Sequence, residues 1–373
     1  IKLLRKKLNE SKFYDFLFLH KLELLIIERT FLYNRSRHKK AMELSIEESD
    51  ELLKFYLTHA FRERFDYEST GLSFNVKYEE NPAMTHIGKL LHQGLIQDTI
   101  DQMEGRKTRD REIIALFYYI LMSFKYPDNQ TYFNNAKELV FTNINKFNRA
   151  TAFEVSGALY SLFTFKLRMG GSTEDYRNTF EIINFRLKKK IYKEDESGFI
   201  NAISFRAIFM TALRLGEFEW LKKFLKKYIG EVTPEHRENL HNLLLSFVKF
   251  YDKQFDESLA YSSKVKYDIH LYKLDVRKLQ LMNYYELNQI EPAISLVSSF
   301  REFLNSNRDI TEDEKTKHLN LIGVFSKLIK LTIEYSEFDM KKLIEEMDNY
   351  EHLLHRGWFE DKIAVLKKKN AKF

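Results

Sequence analysis

A short phrase recurs along the C-terminal half of the chain and limits the folds open to it. Residues 215–225 read LGEFEWLKKFL, 252–260 read DKQFDESLA, 288–296 read NQIEPAISL and 336–343 read SEFDMKKL. Each opens on a polar turn, passes an apolar residue and an acid, and enters a new helical pattern. The apolar anchors Phe218, Phe255, Ile290 and Phe338 are spaced by 37, 35 and 48 residues. Periods of that length belong to stacked helical hairpins, in which each unit buries its apolar face against its neighbours.

The rest of the chain agrees with an all-helical reading. Only four prolines and twelve glycines serve 373 residues, which favours long helices and brief turns. In 109–125, Ile113, Ile114, Leu116, Phe117, Ile120, Leu121 and Phe124 repeat at helical spacing, with Thr108 as the cap and Tyr126-Pro127 as the stop. Ser45 with Glu48 and Thr311 with Glu314 read as capping boxes, and Asn81-Pro82 and Thr233-Pro234 as helix starts. These signals predict about sixteen antiparallel helices in one continuous α-solenoid over 1–373. Residues 1–105 form its irregular N-terminal part and 106–373 its degenerate hairpin repeats. The least regular stretch, 65–80, is expected as loop or extended chain.

The phrase resembles the tetratricopeptide repeat, a 34-residue helical hairpin with small residues where its helices cross. With Phe255 aligned to the aromatic that opens the second helix, Leu245 and Ser246 take the Leu-Gly position and Ser258 the small position of that helix. Ala293 takes it in the next unit, whereas Phe209 and Leu221 are bulky in the unit before. The stretches LRLGEFEW (213–220), PEHREN (234–239), YKLDVRKLQL (272–281) and NYYEL (283–287) are also similar to bacterial helical-repeat proteins of the Bacteroidota type, a group with no assigned activity. The resemblance implies an all-α, right-handed α-α superhelix.

Charge is concentrated at one end. Residues 1–40 carry 11 Lys/Arg against 4 Asp/Glu, a local +7, so a total of +6 leaves the other 333 residues near −1. A basic end of this kind can meet nucleic acid, an anionic surface or an acidic partner. Arg35, Arg37, Lys39 and Lys40 are the candidate basic patch.

Catalytic chemistry finds no motif. The chain has no cysteine, no HExxH and no GxSxG, and it lacks the Glu-x-x-His motifs on two helices that a di-metal site requires. His352 and His355 share a helical face without a partnered acid, while His86/His92 and His236/His241 lack helical ligand spacing. Gly170-Gly171 precedes an acidic, capped helix start that would repel phosphate. No catalytic, metal or cofactor residues are therefore assigned, and no stretch has the roughly 18 apolar residues of a membrane span. A cytoplasmic location is expected, and the initial Ile1 is compatible with a piece of a longer protein.

The function expected is a non-enzymatic scaffold that binds a protein or peptide on the concave face of the superhelix. The resemblance places the first helix of each hairpin on that face. It thereby selects Arg206, Asn242 and Arg277 as groove residues, with Arg237 and Asn239 near the start of their helix. Two alternatives stand beside it: nucleic-acid or anionic-surface binding through the basic N-terminal helices, and a regulatory or non-catalytic part of a larger enzyme.

Overall fold

The computed structural model describes residues 1–74, 81–92, 94–102, 109–168, 171–267, 270–307, 310–351 and 353–370. Thr108, Gly170, His352 and the 75–80 stretch, all singled out above, lie outside them. The described chain is all-helical and divides into two compact units, Ile1–Phe199 and Ile200–Phe373.

Unit 1 holds α1 (Lys2–Glu10), α2 (Leu17–Tyr33), α3 (His38–Phe74), α4 (Pro82–His92), α5 (Leu95–Gln102), α6 (Arg109–Lys125), α7 (Gln130–Asn143), α8 (Arg149–Arg168) and α9 (Thr173–Lys188). Its centre is α6. The positions expected to form one apolar face are buried there, and so are Ala115, Tyr118, Met122 and Ser123. A helix apolar nearly all round belongs inside a unit rather than on its surface. Phe13, fully buried, ties the start of the unit to its middle: its N–H donates to the Lys146 carbonyl at 2.8 Å and its carbonyl accepts from Asn148 at 2.9 Å.

Unit 2 holds α10 (Ala202–Arg214), α11 (Phe218–Tyr228), α12 (Pro234–Tyr251), α13 (Phe255–Ser262), α14 (His270–Glu286), α15 (Ile290–Ser306), α16 (Glu312–Ile333), α17 (Glu337–Asn349) and α18 (Arg356–Asn370). The described residues thus form eighteen α-helices where the sequence suggested about sixteen. The differences are at the N-terminal end. Within 1–105, a separate α1 precedes α2, and α4 and α5 are two short helices.

Three of the four recurring phrases share one backbone device. At the α10/α11 turn the N–H groups of Gly216 and Glu217 donate back to the carbonyls of Leu213 and Ala212. Lys253 and Gln254 do the same to Phe250 and Lys249, and Asn288 and Gln289 to Tyr285 and Tyr284. Gly216, Lys253 and Asn288 have φ of 74°, 62° and 55°. This paired closure around a left-handed residue satisfies carbonyls that the helix end leaves open, and it reverses the chain within three residues. The fourth phrase differs: Ser336 caps α17 by accepting from the Asp339 N–H at 3.2 Å, with no left-handed residue.

The anchors mark helix starts rather than the core. Phe218 is 37% exposed and Phe338 72% exposed. The core position lies three residues on, where Leu221, Ser258 and Ala293 are buried. Ser258 and Ser246, the small pair of the best-aligned unit, meet directly. The Ser258 hydroxyl donates to the Ser246 carbonyl at 2.8 Å and accepts from the Asn283 amide at 2.8 Å, joining α12, α13 and α14.

Of the expected caps, Thr311 accepts from the Glu314 N–H and Asn81 from the Met84 N–H, and Pro234 opens α12. Ser45 is a correction. It lies inside α3, where its carbonyl accepts from the Ser49 hydroxyl, because the apolar pattern of 41, 44, 57 and 60 carries the helix through it. The helix also continues to Phe74, through most of the stretch expected as loop.

Two stability outcomes follow. Lys253→Gly should stabilise the chain by up to about 1 kcal/mol and Gly216→Ala destabilise it by about as much, read as opposite shifts of about 2–4 °C in Tm. Ser258→Leu, which overfills the crossing and strands a carbonyl and an amide, should cost about 3 kcal/mol in urea unfolding.

Candidate functional site

Unit 2 contains a cavity of about 720 Å³ between the α10/α11 and α12/α13 turns, the inner face of α14 and the start of α18. Buried Leu213, Phe247 and Phe250 supply its apolar wall, and the rings of Phe218 and Tyr251, 4.9 Å apart and both partly exposed, form its rim. Five cations line it, Arg214, Lys253, Lys278, Arg356 and Lys362, against three acids, Asp275, Glu286 and Asp361. A second cavity of similar volume lies in unit 1 beside Tyr118, Tyr126 and Tyr132, with one cation, Lys125, and one acid, Asp128. Of these two large cavities, the one in unit 2 carries more charge.

Two of its acids are consumed by the fold. Asp275 is 1% exposed, and both its oxygens accept from the Arg206 guanidinium, Oδ1 at 2.8 Å from Nη2; Lys278 lies 3.3 Å from the same Oδ1. Burial alone would push the Asp275 carboxyl up, but Arg206 and Lys278 outweigh it and hold the group below the usual carboxylate range. Breaking a buried pair by removing one partner costs about 3–5 kcal/mol, because the other charge is left without compensation. Glu286 is likewise engaged: Trp358 Nε1 donates to Oε1 at 2.7 Å and Lys362 Nζ to Oε2 at 2.7 Å. The Trp358 ring stacks on Phe325 at 5.8 Å, so the cavity wall is anchored to the unit's core.

Two histidines stand in this charged surrounding. His318 is buried, with Nδ1 2.7 Å from the Glu314 carbonyl and Nε2 without a partner. Burial, and then the nearby Lys278, push it down to about 4. His355 lines the cavity in a left-handed conformation, φ 56°, at the residue before α18. Burial followed by Lys278 and Arg214 pushes it down to about 3. Both rings are neutral at pH 7. Among the described residues no three His, Asp or Glu side chains gather as a metal-holding group.

The five groove candidates have other placements, and none lines the cavity. Arg206 turns inward to Asp275. Asn239 is buried and clamps the Lys266 main chain, donating to its carbonyl at 2.8 Å and accepting from its N–H at 2.7 Å. Arg237 donates to the Val232 carbonyl at 3.0 Å, closing the turn before α12. Arg277 lies over the Phe300 and Phe303 rings and donates to the Ser299 hydroxyl at 3.3 Å, half-buried and with no ion-pair partner among the described residues. Asn242 is half-buried on α12. In unit 1, Arg35, Arg37, Lys39 and Lys40 are all exposed around the α2/α3 turn.

The cavity residues were missed because the alignment marks where the helices of one hairpin cross, whereas the cavity forms where the α10/α11 and α12/α13 turns meet α14 and α18. One signal was available: Arg356-Gly357-Trp358 opens a helix without an acid in its first turn, unlike most helix starts in unit 2. No protein-family model, curated protein or solved structure matches the chain. Among the described residues no helix is long and apolar enough to cross a membrane.

The buried histidine gives a signed pH dependence. With a folded pKa near 4 against an ordinary 6.5, His318 costs nothing above about pH 7, and the chain loses stability as pH falls through 6.5 toward 4. The loss should reach about 3 kcal/mol for His318. Asp275, also held below its ordinary value, adds a loss of the same sign only at more acidic pH, where its carboxylate is protonated. His318→Gln, which keeps a donor toward Glu314, should flatten the slope of the urea midpoint between about pH 7 and pH 4. An unchanged slope, or a His318 imidazole resonance titrating near 6.5, would contradict the assignment.

Proposed function

We propose that the chain is a non-enzymatic, helical-repeat scaffold whose C-terminal unit captures a polypeptide segment. The hairpins stack in this reading as a tetratricopeptide-like, right-handed superhelix, with the unit 2 cavity on its binding face. The observation that carries it is the pairing of partly exposed aromatic rings, Phe218 and Tyr251, with an excess of cations around one cavity. Aromatic side chains that a partner covers at the centre of an interface supply much of its binding energy, and surrounding charges set selectivity.

Support for a non-enzymatic role comes from the state of the acids. Asp275 and Glu286 are locked in ion pairs that hold the fold, so neither is free to take a proton from a ligand. Asp361 is exposed at the start of α18. A general base must reach its proton directly and have a matched pKa, and no acid here is both buried and released from its partners.

Selection of displayed peptides on the full chain tests the proposal. Enriched peptides should bind purified protein, and Phe218→Ser with Tyr251→Ser should weaken them by about thirtyfold at unchanged helical content, the loss typical of two central anchors. Failure to enrich any peptide, or enriched peptides indifferent to both substitutions, would remove the cavity from consideration.

A further inference from the structure

The second half of α2 and the first half of α3 expose an unusual combination of groups. From Ile26 to Tyr33 no residue of α2 is fully buried, and along 38–56 of α3 only Ala41 and Leu44 are. This end of the hairpin is therefore largely open. Its reversal is fixed: Ser36 adopts φ 55°, its N–H donates to the Tyr33 carbonyl at 3.0 Å, and the Arg37 N–H donates to the Leu32 carbonyl at 3.0 Å. It is the same closure that turns three hairpins of unit 2.

Around that fixed turn, Arg35, Arg37, Lys39 and Lys40 are exposed, and no acid occurs between Glu28 and Glu43. Among the described residues Arg37, Lys39 and Lys40 have no ion-pair partner. Arg35 lies 4.1 Å over the Phe31 ring, and Tyr33 meets His38 edge-on at 5.0 Å. Farther down the hairpin three acids are occupied: Glu28 and Glu47 by Arg5 from α1, and Glu48 by Arg29 at 2.6 Å. The cations at the turn have no such neutralisation.

Large apolar side chains stand beside these cations. On α2, Ile27 is 57% and Phe31 46% exposed, one helical turn apart; on α3, Met42 is 68% and Ile46 64% exposed, also one turn apart. The neighbouring α1 buries none of its residues and exposes Leu3 and Leu4 among Lys2, Lys6 and Lys7. Cations alone would suit any polyanion. Exposed Phe, Met and Ile interleaved with unpaired Arg and Lys suit a surface that is anionic outside and apolar just beneath.

We infer that the α2/α3 turn, with α1 beside it, docks on the surface of an anionic lipid bilayer. The cations engage headgroup phosphates and carboxylates, while Phe31, Met42 and Ile46 enter the interfacial region. The fixed turn presents both sets without an ordering cost, and contact at this depth requires no spanning helix. A nucleic-acid backbone would engage the same cations but would leave Met42 and Ile46 in water.

Co-sedimentation of the full chain with vesicles tests this. Phosphatidylcholine vesicles should leave the protein in solution, and vesicles doped with phosphatidylserine should pellet it in a salt-sensitive manner. Arg37→Ala, Lys39→Ala and Lys40→Ala together should weaken binding about a hundredfold, at roughly fivefold per cation. Met42→Ser with Ile46→Ser should weaken it about tenfold with no change in charge, and these exposed positions should leave the circular dichroism unchanged. Absence of phosphatidylserine-dependent pelleting overturns the inference. Binding indifferent to Met42→Ser and Ile46→Ser, and displaced by single-stranded RNA, assigns the surface to nucleic acid instead. Concentration-dependent dimerisation abolished by those two substitutions, without vesicle binding, assigns it to a second copy of the chain.

Discussion

One backbone unit in the left-handed region reverses a helix within three residues, and several turns of this protein rest on that device. Carbonyls at a helix end have no internal acceptor role left to fill and must find donors elsewhere. A residue with positive φ swings the next two N–H groups back onto them, so reversal and satisfaction come from one torsion. Ser36, Lys190, Gly216, Lys253 and Asn288 all do this, each with its own N–H and that of its successor directed back into the preceding helix. Side chains then need only match the helix faces that the turn has brought together. In unit 2 they do so with serines at one crossing and bulky Phe209 and Leu221 at another.

That physics explains what could be read in advance. The recurring phrase was legible because polar turn residues and the first residues of the next helix are local features. Ser246, Ser258 and Ala293 were legible because a close crossing excludes large side chains wherever it occurs. Ser45 was misread for the complementary reason: its spacing to Glu48 is that of a capping box, but local spacing does not show that a helix started seven residues earlier. Phe338 stands at the start of its helix as the phrase implies, and its exposure was not legible because burial depends on what lies opposite.

The candidate site was far less legible. Arg206 and Asp275 are 69 residues apart, and no periodicity announces that their side chains share an ion pair. Helical spacing identifies which residues share a face, and it cannot say which cation on that face is already neutralised from another hairpin. Asn239 illustrates the limit, since its amide matches the Lys266 main chain as well as it would have matched a bound peptide. The basic turn at Arg35 to Lys40 was the opposite case. Its charge was evident from composition, and its exposed apolar neighbours became evident only with the fold.

Lys253 joins the turn geometry to the cavity. It occupies the left-handed position of its hairpin and also lines the cavity, where the corresponding position of the preceding hairpin, Gly216, lines it as well. Glycine fits that torsion with least strain, and lysine holds it at a cost of about 1 kcal/mol. Two equivalent positions around one cavity have thus settled differently, one toward conformational ease and one toward a charged side chain at the mouth. Ser36, Lys190 and Asn288 hold the same torsion away from the cavity, so the strain is common to these turns, and at Lys253 it also sets a cation in the cavity lining.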